Sequence, residues 1–305
     1  MATDLIATRP AVTTPSKQTP PRRRSNSRPS KERWAALLKH AILIIVGFAM
    51  VFPLLWMVSS SLKPDKDIFG TVNLIPTVFR PENYSDGWNA QTFSFGHYML
   101  NSLIISVGAI VGNLLSCSLA AYGFTRLRWR GRGIAFGFML VTLMLPIYVL
   151  IVPQYVGWSK LGLVNTFVPL ILPKLLATEP FFVFLMVQFF RGIPRELDEA
   201  AKIDGAGYFR TFFQIMLPNA LPALATTAIF TFIWTWNDFF YQLLYLTKPQ
   251  NLTAAVALRN FADATSGTSW GPLFAMSTLS LIPVFIVFLV GQRFLVQGVA
   301  TTGLK

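Results

Sequence analysis

Charged residues are scarce in this 305-residue sequence. Asp, Glu, Lys and Arg make up 13% of it, whereas an ordinary soluble domain carries about 25%. Acidic residues are the rarer kind, with 13 against 26 basic ones. Because 53% of the residues are hydrophobic, the composition argues against a water-soluble domain and indicates that lipid is the main solvent of the chain.

Cysteine and histidine are nearly absent. Cys117 is the only cysteine, so an intrachain disulfide is excluded, and its apolar surroundings favour a small buried residue. His40 and His97 are the only histidines, so we expect no metal site. The sequence also lacks a Gly-x-x-x-x-Gly-Lys-Ser/Thr phosphate loop and any evident Ser/His/Asp grouping. We therefore expect no catalytic site and no cofactor in this chain.

The N-terminal 33 residues differ in composition from the rest. Residues 1–33 are rich in Pro, Ser, Thr and Arg and contain the run Arg22–Arg24, which predicts a disordered basic cytoplasmic tail. A cleaved signal peptide is the alternative. However, the apolar run 41–61 is longer than the usual core of a signal peptide. Residues 34–305 then form one membrane domain.

Long apolar stretches predict the fold class. A helix needs about 20 apolar residues to cross a bilayer, and six stretches qualify. They lie near 40–61, 98–124, 134–158, 167–190, 220–245 and 271–292. The prediction is an all-α integral membrane protein with six transmembrane helices.

Basic residues predict how the chain is oriented. With the N-terminus inside, the segments 1–39, 125–133, 191–219 and 293–305 face the cytoplasm and hold 19 of the 26 Lys and Arg residues. The sharpest marker is the loop 125–132, TRLRWRGR. Both termini are therefore predicted to be cytoplasmic. A membrane-anchored nucleic-acid binder would also be basic, but this orientation rule already explains the charge.

The segment 191–219 is unusual for a cytoplasmic loop. Pro194 suits a first helical position and Gly205 suits the residue that ends a helix, so a short helix is predicted over about 194–204, with acidic residues in its first turns. A second short helix follows, with Phe209, Phe212, Phe213 and Met216 spaced as one apolar stripe. The pattern predicts a compact helical element that could enter a partner's groove.

The same segment resembles the EAA motif of permeases in binding-protein-dependent ABC importers. The pattern is Glu-Ala-Ala, three residues, Gly, nine residues, Ile, one residue, Leu-Pro. All seven positions match at that spacing: Glu199, Ala200, Ala201, Gly205, Ile215, Leu217 and Pro218.

Further stretches resemble the carbohydrate-uptake branch of that family, whose type case is the maltose transporter. They are PLLWMVSSSLKP at 53–64, WNDF at 236–239 and the tail 293–305. The resemblance covers about residues 35–305 and departs only in the long basic tail.

The resemblance implies a type I ABC importer permease fold with a cytoplasmic coupling helix. It also implies three kinds of partner besides membrane lipid: a second homologous permease, two ATPase subunits that bind ATP and Mg²⁺, and an extracytoplasmic substrate-binding protein. The location would be a prokaryotic cytoplasmic membrane. In this scheme the chain has no ATPase site of its own.

Roles for the coupling segment follow from the resemblance. Glu199 would pair with a basic residue of the ATPase, Gly205 would permit the turn, and Ala200 and Ala201 would allow a close fit. Phe209, Phe212 and Phe213 would supply apolar contact, with packing against the chain's own spans as the alternative. Asp204, Leu217 and Pro218 complete the predicted coupling set.

Polar residues within the spans predict a substrate path. Charges there are costly and usually face a cavity or a partner. Lys174 and Glu179 lie five residues apart, so a continuous helix would put them on different faces. A sugar path is predicted from Lys174, Glu179, Trp234, Trp236, Asn237, Asp238, Tyr241 and Gln242. The alternative is polar contact between helices, for example Lys174 with Asp238.

Two other functions fit parts of the pattern. The same machine could carry another polar solute such as glycerol phosphate, which would require more cations in the path. A proton- or sodium-driven carrier would need acidic residues in the spans but no EAA loop. The identity of the sugar does not follow from the sequence.

Overall fold

The computed structural model describes residues 30–70, 73–262 and 268–302. Residues 1–29, most of the predicted tail, lie outside this set. In the described residues all regular structure is helical. The α-helices are α1 Ser30–Ser60, α2 Asp65–Ile68, α3 Glu82–Asn89, α4 Phe95–Thr125, α5 Arg132–Thr142, α6 Ile147–Lys160, α7 Val168–Leu175, α8 Pro180–Gly192, α9 Glu196–Ile203, α10 Tyr208–Thr211, α11 Leu217–Asn219, α12 Leu221–Asn237, α13 Phe240–Tyr245, α14 Ala254–Arg259 and α15 Trp270–Thr302.

Two shorter elements complete the helical structure. Residues Phe212–Met216 form a π-helical turn between α10 and α11, and Pro249–Asn251 form a 3₁₀ turn. The chain divides into two compact units, Met1–Phe52 and Pro53–Lys305. In the first unit, the Phe48 and Phe52 rings lie 6.2 Å apart on α1.

The apolar helices confirm a membrane protein. By length and composition, four helical stretches of the described residues can cross a membrane: Trp34–Ser60, Phe95–Thr125, Val168–Gly192 and Trp270–Phe294. A fifth candidate is the pair Tyr208–Asn219 and Leu221–Asn237, which meet at an angle of 77°. These five correspond to the first, second, fourth, sixth and fifth predicted spans.

The third predicted span, 134–158, is not one continuous helix. It consists of α5 and α6, which are separated by residues 143–146. Pro146 has extended backbone geometry at the start of α6. Proline lacks an N–H and disfavours a helical conformation in the residue before it, which explains why the helix breaks here.

Helix α4 is the centre of the second unit, where it packs against α7, α8 and α12. The buried Asn113 side chain donates to Thr231 Oγ1 of α12 at 3.0 Å. A Cβ atom on Gly112 would lie 3.0 Å from the backbone nitrogen of Leu175. Small residues and interhelical hydrogen bonds of this kind let membrane helices approach closely.

A polar group ties the residues after α1 to the start of α15. We call it the asparagine cluster: Ser61, Lys63, Asp65, Asn83, Trp270 and Gly271. Buried Asn83 donates through Nδ2 to the carbonyls of Ser61 and Lys63, at 3.0 and 2.9 Å. The Asp65 carboxylate accepts the N–H groups of Trp270 and Gly271, at 3.2 and 2.8 Å. An acidic side chain is favourable there because the helix dipole is positive at an N-terminus.

Candidate functional site

The EAA segment, residues 194–219, forms the predicted helix–turn–helix. Its first helix, α9, begins at Glu196 rather than at Pro194, and its first turn holds Glu196, Asp198 and Glu199. Gly205 has a φ of +75°, which confirms its predicted place at the end of the helix. The turn is closed because Ala206 N–H donates to the Ala201 carbonyl at 2.8 Å.

The predicted apolar stripe divides into an inner and an outer part. Phe212 is 1% exposed and Met216 is fully buried, whereas Phe213 is 52% and Phe209 is 75% exposed. The Phe212 ring packs against Tyr122 of α4 with centroids 5.2 Å apart. Phe212 is therefore a residue of this chain's own core, and its prediction as a partner contact is wrong.

The exposed face of the EAA segment is both acidic and apolar. Glu199, Ala200, Asp204, Gly205 and Pro218 are exposed and Leu217 is half-buried, but Ala201 is buried and faces this chain. Among the large apolar side chains of this segment that the sequence prediction left out, Ile203, at 87%, and Tyr208 are the most exposed. Ile203 could have been found as the apolar residue at the end of α9, directly before Asp204 and the turn glycine.

The end of α4 holds the EAA segment through Tyr122, in its last turn, and Arg126, the capping residue directly after it. The sequence prediction also missed both side chains. The Arg126 guanidinium lies 3.0 Å from an Asp198 carboxylate oxygen, and both side chains are largely buried. It also donates to the carbonyls of Phe190 and Ile193 at 2.8 and 2.6 Å. Tyr122 donates through its hydroxyl to the Tyr208 carbonyl at 3.2 Å. In the sequence, Arg126 served only as a marker of orientation.

Lys174 and Glu179 form an ion pair, although a continuous helix would separate them. The helix is interrupted between α7 and α8, where Ala177 has a φ of +54° and Pro180 begins the next helix. The break brings the two side chains together. It lies against α4, where Ser116 donates to the Lys174 carbonyl at 2.7 Å.

A second break lies between α12 and α13, at Asp238. The Asp238 carboxylate accepts the N–H of Tyr241 at 3.1 Å, and both residues are half-buried. Asn237 and Trp234 are exposed; Trp234 packs on Phe181 and Phe182. The ion-pair alternative of Lys174 with Asp238 is not what the structure contains.

Two of the residues predicted to line the substrate path form hydrogen bonds within this chain instead. Trp236 is buried, and its indole N–H donates to the Ser280 carbonyl of α15 at 3.1 Å. Buried Gln242 donates to the Thr235 carbonyl at 2.7 Å and accepts a hydrogen bond from Thr253. Because these polar groups already have partners, their geometry opposes a substrate-contact role and favours helix packing.

Residues 112–301 match the family described as "Binding-protein-dependent transport system inner membrane component". The chain is 37% identical to the probable ABC transporter permease protein YurM of Bacillus subtilis, over 86% of each chain. It is 35% identical to the diacetylchitobiose uptake system permease protein of Streptomyces coelicolor, over 87% of each.

The fold is also found in a solved structure. A chain of a bacterial ABC transporter involved in the import of the acidic polysaccharide alginate superposes with a TM-score of 0.77 at 21% identity. The match covers 87% of this chain and 98% of that one. At this identity the likeness concerns the fold.

Proposed function

Because the chain belongs to the family of binding-protein-dependent transport system inner membrane components, and is thus a permease subunit of an ABC importer, we propose that it carries a sugar or oligosaccharide. We further propose that the EAA segment couples it to ATPase subunits. The observation that carries the coupling proposal is the exposed face of that segment. Glu199 lies there beside large apolar side chains that this chain leaves uncovered.

That face has the chemistry of a docking surface. Ile203, Phe209 and Phe213 supply apolar area, and Glu199 and Asp204 supply charge for basic groups on a partner. Contact of this kind combines an apolar anchor with electrostatic complementarity. The proposed partners are two ATPase subunits, which bind ATP and Mg²⁺, a second homologous permease and an extracytoplasmic binding protein.

The proposed mechanism needs no catalytic group in this chain. ATP binding closes the ATPase pair, the docked EAA segments move, and the spans change from inward-facing to outward-facing. The energy enters as a difference in nucleotide affinity between the two conformations. The basic loop 125–133 supports placing the EAA segment and both termini on the cytoplasmic side of a prokaryotic cytoplasmic membrane.

A sugar is the proposed cargo because several relatives are named for saccharides. Besides the diacetylchitobiose permease, they include a trehalose/maltose transport system permease of Thermococcus litoralis, 33% identical over 88% of this chain and 98% of its own length. The ion pair supports an uncharged cargo over glycerol phosphate, because Glu179 already neutralises Lys174. The proposed path narrows to Lys174, Glu179, Trp234, Asn237, Asp238 and Tyr241.

Charge reversal at the EAA segment tests the coupling role. Glu199→Lys and Gly205→Asp should each abolish uptake while the protein still inserts, and Glu199→Lys should prevent ATPase subunits from co-purifying. Glu82→Lys, an equal change at an exposed residue of α3, is the matched control. Uptake that survives both EAA changes with the ATPase still attached would disprove the docking role.

The cargo is tested separately. A strain lacking this gene should lose growth on one saccharide within a panel, and the cognate binding protein should bind that saccharide in calorimetry. Loss of growth only on an anionic or amino-acid solute would replace the sugar proposal and leave the coupling proposal intact.

A further inference from the structure

The end of α4 contacts both arms of the EAA segment. Tyr122 and Arg126 are four residues apart, so they share one face of the helix. Arg126 binds Asp198 of α9, and Tyr122 binds the Tyr208 carbonyl of α10. The turn at Gly205 lies between these two attachment points in the sequence.

The Arg126 guanidinium is shared among three acceptors. One terminal nitrogen pairs with Asp198, and the other donates to the carbonyls of Phe190 and Ile193 at the end of α8. Its Nε and the second Asp198 oxygen are buried without a partner. The side chain therefore forgoes the two-point pairing that arginine usually makes with a carboxylate, and it connects α4, α8 and α9 instead.

The Arg126–Asp198 pair bridges the end of α4 and α9 beside an open space. A cavity of about 560 Å³ lies between them and is lined by Tyr122, Arg126, Asp198 and Glu199, among others. Continuous packing does not fill this space. The ion pair therefore gives α9 its own link to α4, separate from the packing of Phe212 on Tyr122 further along the segment.

We propose that Arg126, assisted by Tyr122, is a positioning residue that makes α4 move with the EAA segment. The proposal rests on the coupling role proposed for that segment. Helix α8 directly precedes the EAA segment and α12 directly follows it, so the backbone connects both helices to the segment. Helix α4 contacts the segment only through side chains and is distant from it in sequence. Because α4 is the central helix of the unit, this attachment carries the movement to the helices packed around it.

A distance measurement on the full chain in nanodiscs tests the attachment directly. Spin labels at Leu119→Cys on α4 and Lys202→Cys on α9, in a Cys117→Ser background, report the separation of the two helices. Arg126→Gln should broaden the distance distribution, and Arg126→Lys should do so partly, because lysine cannot reach three acceptors in one plane. Arg130→Gln, an exposed arginine of the same loop, is the matched control.

Transport by the assembled complex gives the functional readout. In Arg126→Gln, ATPase subunits should still co-purify and hydrolyse ATP, while substrate moved per ATP should fall about tenfold, a typical size for coupling between sites. Tyr122→Phe should lower the same ratio by about twofold. A purely structural role would instead lower protein yield and leave the ratio unchanged.

The outcomes separate the two proposals. An unchanged distance distribution, or an unchanged ratio of transport to hydrolysis, would overturn the role of Arg126. If Arg126→Gln does not accumulate, Asp198→Asn decides the question, because it removes the ion pair and leaves the carbonyl contacts in place. If Glu199→Lys leaves coupling intact, the docking proposal fails, yet the distance measurement still tests the attachment of α4.

Discussion

The asparagine cluster and the EAA segment both join helices, but they treat their surfaces in opposite ways. In the cluster, buried Lys63 and Asn83 are bound to backbone carbonyls of the same chain. In the EAA segment, Ile203 and Phe209 are almost fully exposed. The polar side chains of the first are buried or half-buried within this chain. The second is left uncovered by this chain, and large apolar side chains grouped on a surface are typical of an interaction site.

Stability and partner binding should therefore depend on different residues. Changes in the asparagine cluster should lower the stability of the isolated protein and leave its attachment to ATPase subunits unchanged. Changes on the exposed face of the EAA segment should do the reverse. Four substitutions test this division; buried Phe212 and Gly205, with its positive φ, are the two positions of the EAA segment that should nevertheless affect stability.

Phe212→Ala should have the largest effect, although it lies within the EAA segment. Phe212 is buried against Tyr122, so removing its ring should cost about 3 kcal/mol of stability. Thermal unfolding in detergent measures the loss. Phe209→Ala, on the exposed side of the same stripe, should melt like the parent protein; equal losses in the two variants would refute the division of the stripe.

Asn83→Ala, in the asparagine cluster, should have the next largest effect on stability. It leaves the carbonyls of Ser61 and Lys63 without their donor inside a buried site, which should cost about 2 kcal/mol. The same unfolding assay measures it. ATPase co-purification should be unaffected, and a loss of attachment would show that the two regions are not independent.

Gly205→Ala should cost about 1 kcal/mol, because alanine is strained at the positive φ of this residue. Hydrogen exchange of α9 should increase, since its end is no longer closed by the turn. Gly205→Asn is the control, because asparagine tolerates this conformation better. Equal exchange in all three proteins would argue that the turn does not hold the helix.

Phe213→Ser should have the smallest effect on stability, below about 0.5 kcal/mol, because the side chain is half exposed. It should nevertheless reduce the amount of ATPase that co-purifies. Such a result would show that two adjacent residues have different roles, Phe212 in stability and Phe213 in partner binding. Unchanged co-purification would place the docking surface elsewhere.

Sequence patterns predicted the features that depend on single residues. Gly205 was placed at the end of its helix because few other residues adopt a positive φ there, and the structure confirms it. The apolar residues predicted on the second short helix are indeed helical. Their division into a buried side, Phe212 and Met216, and an exposed side, Phe209 and Phe213, depends on how the segment packs against α4, which the spacing alone does not reveal.

Breaks inside the spans were the main features that the sequence did not predict. Hydropathy averages over about 20 residues, so the interruptions near Pro146 and Ala177 were read through as continuous helices. The separation predicted for Lys174 and Glu179 assumed an unbroken helix, and the break reversed it. Arg126 was missed because its partners are distant in sequence, and only the fold brings them together.

The 77° bend between Tyr208–Asn219 and Leu221–Asn237 gives this part of the molecule two rigid arms that lie nearly at right angles. The arm before the bend is about 18 Å long and α12 is about 25 Å long, at 1.5 Å per residue. If the bend keeps its angle, a 10° rotation displaces the tip of the first arm by about 3 Å and the far end of α12 by about 4 Å. The displacement of the first tip is nearly perpendicular to that of the second. If α12 lies along the membrane normal, a push along that normal on the first arm would displace the far end of α12 sideways.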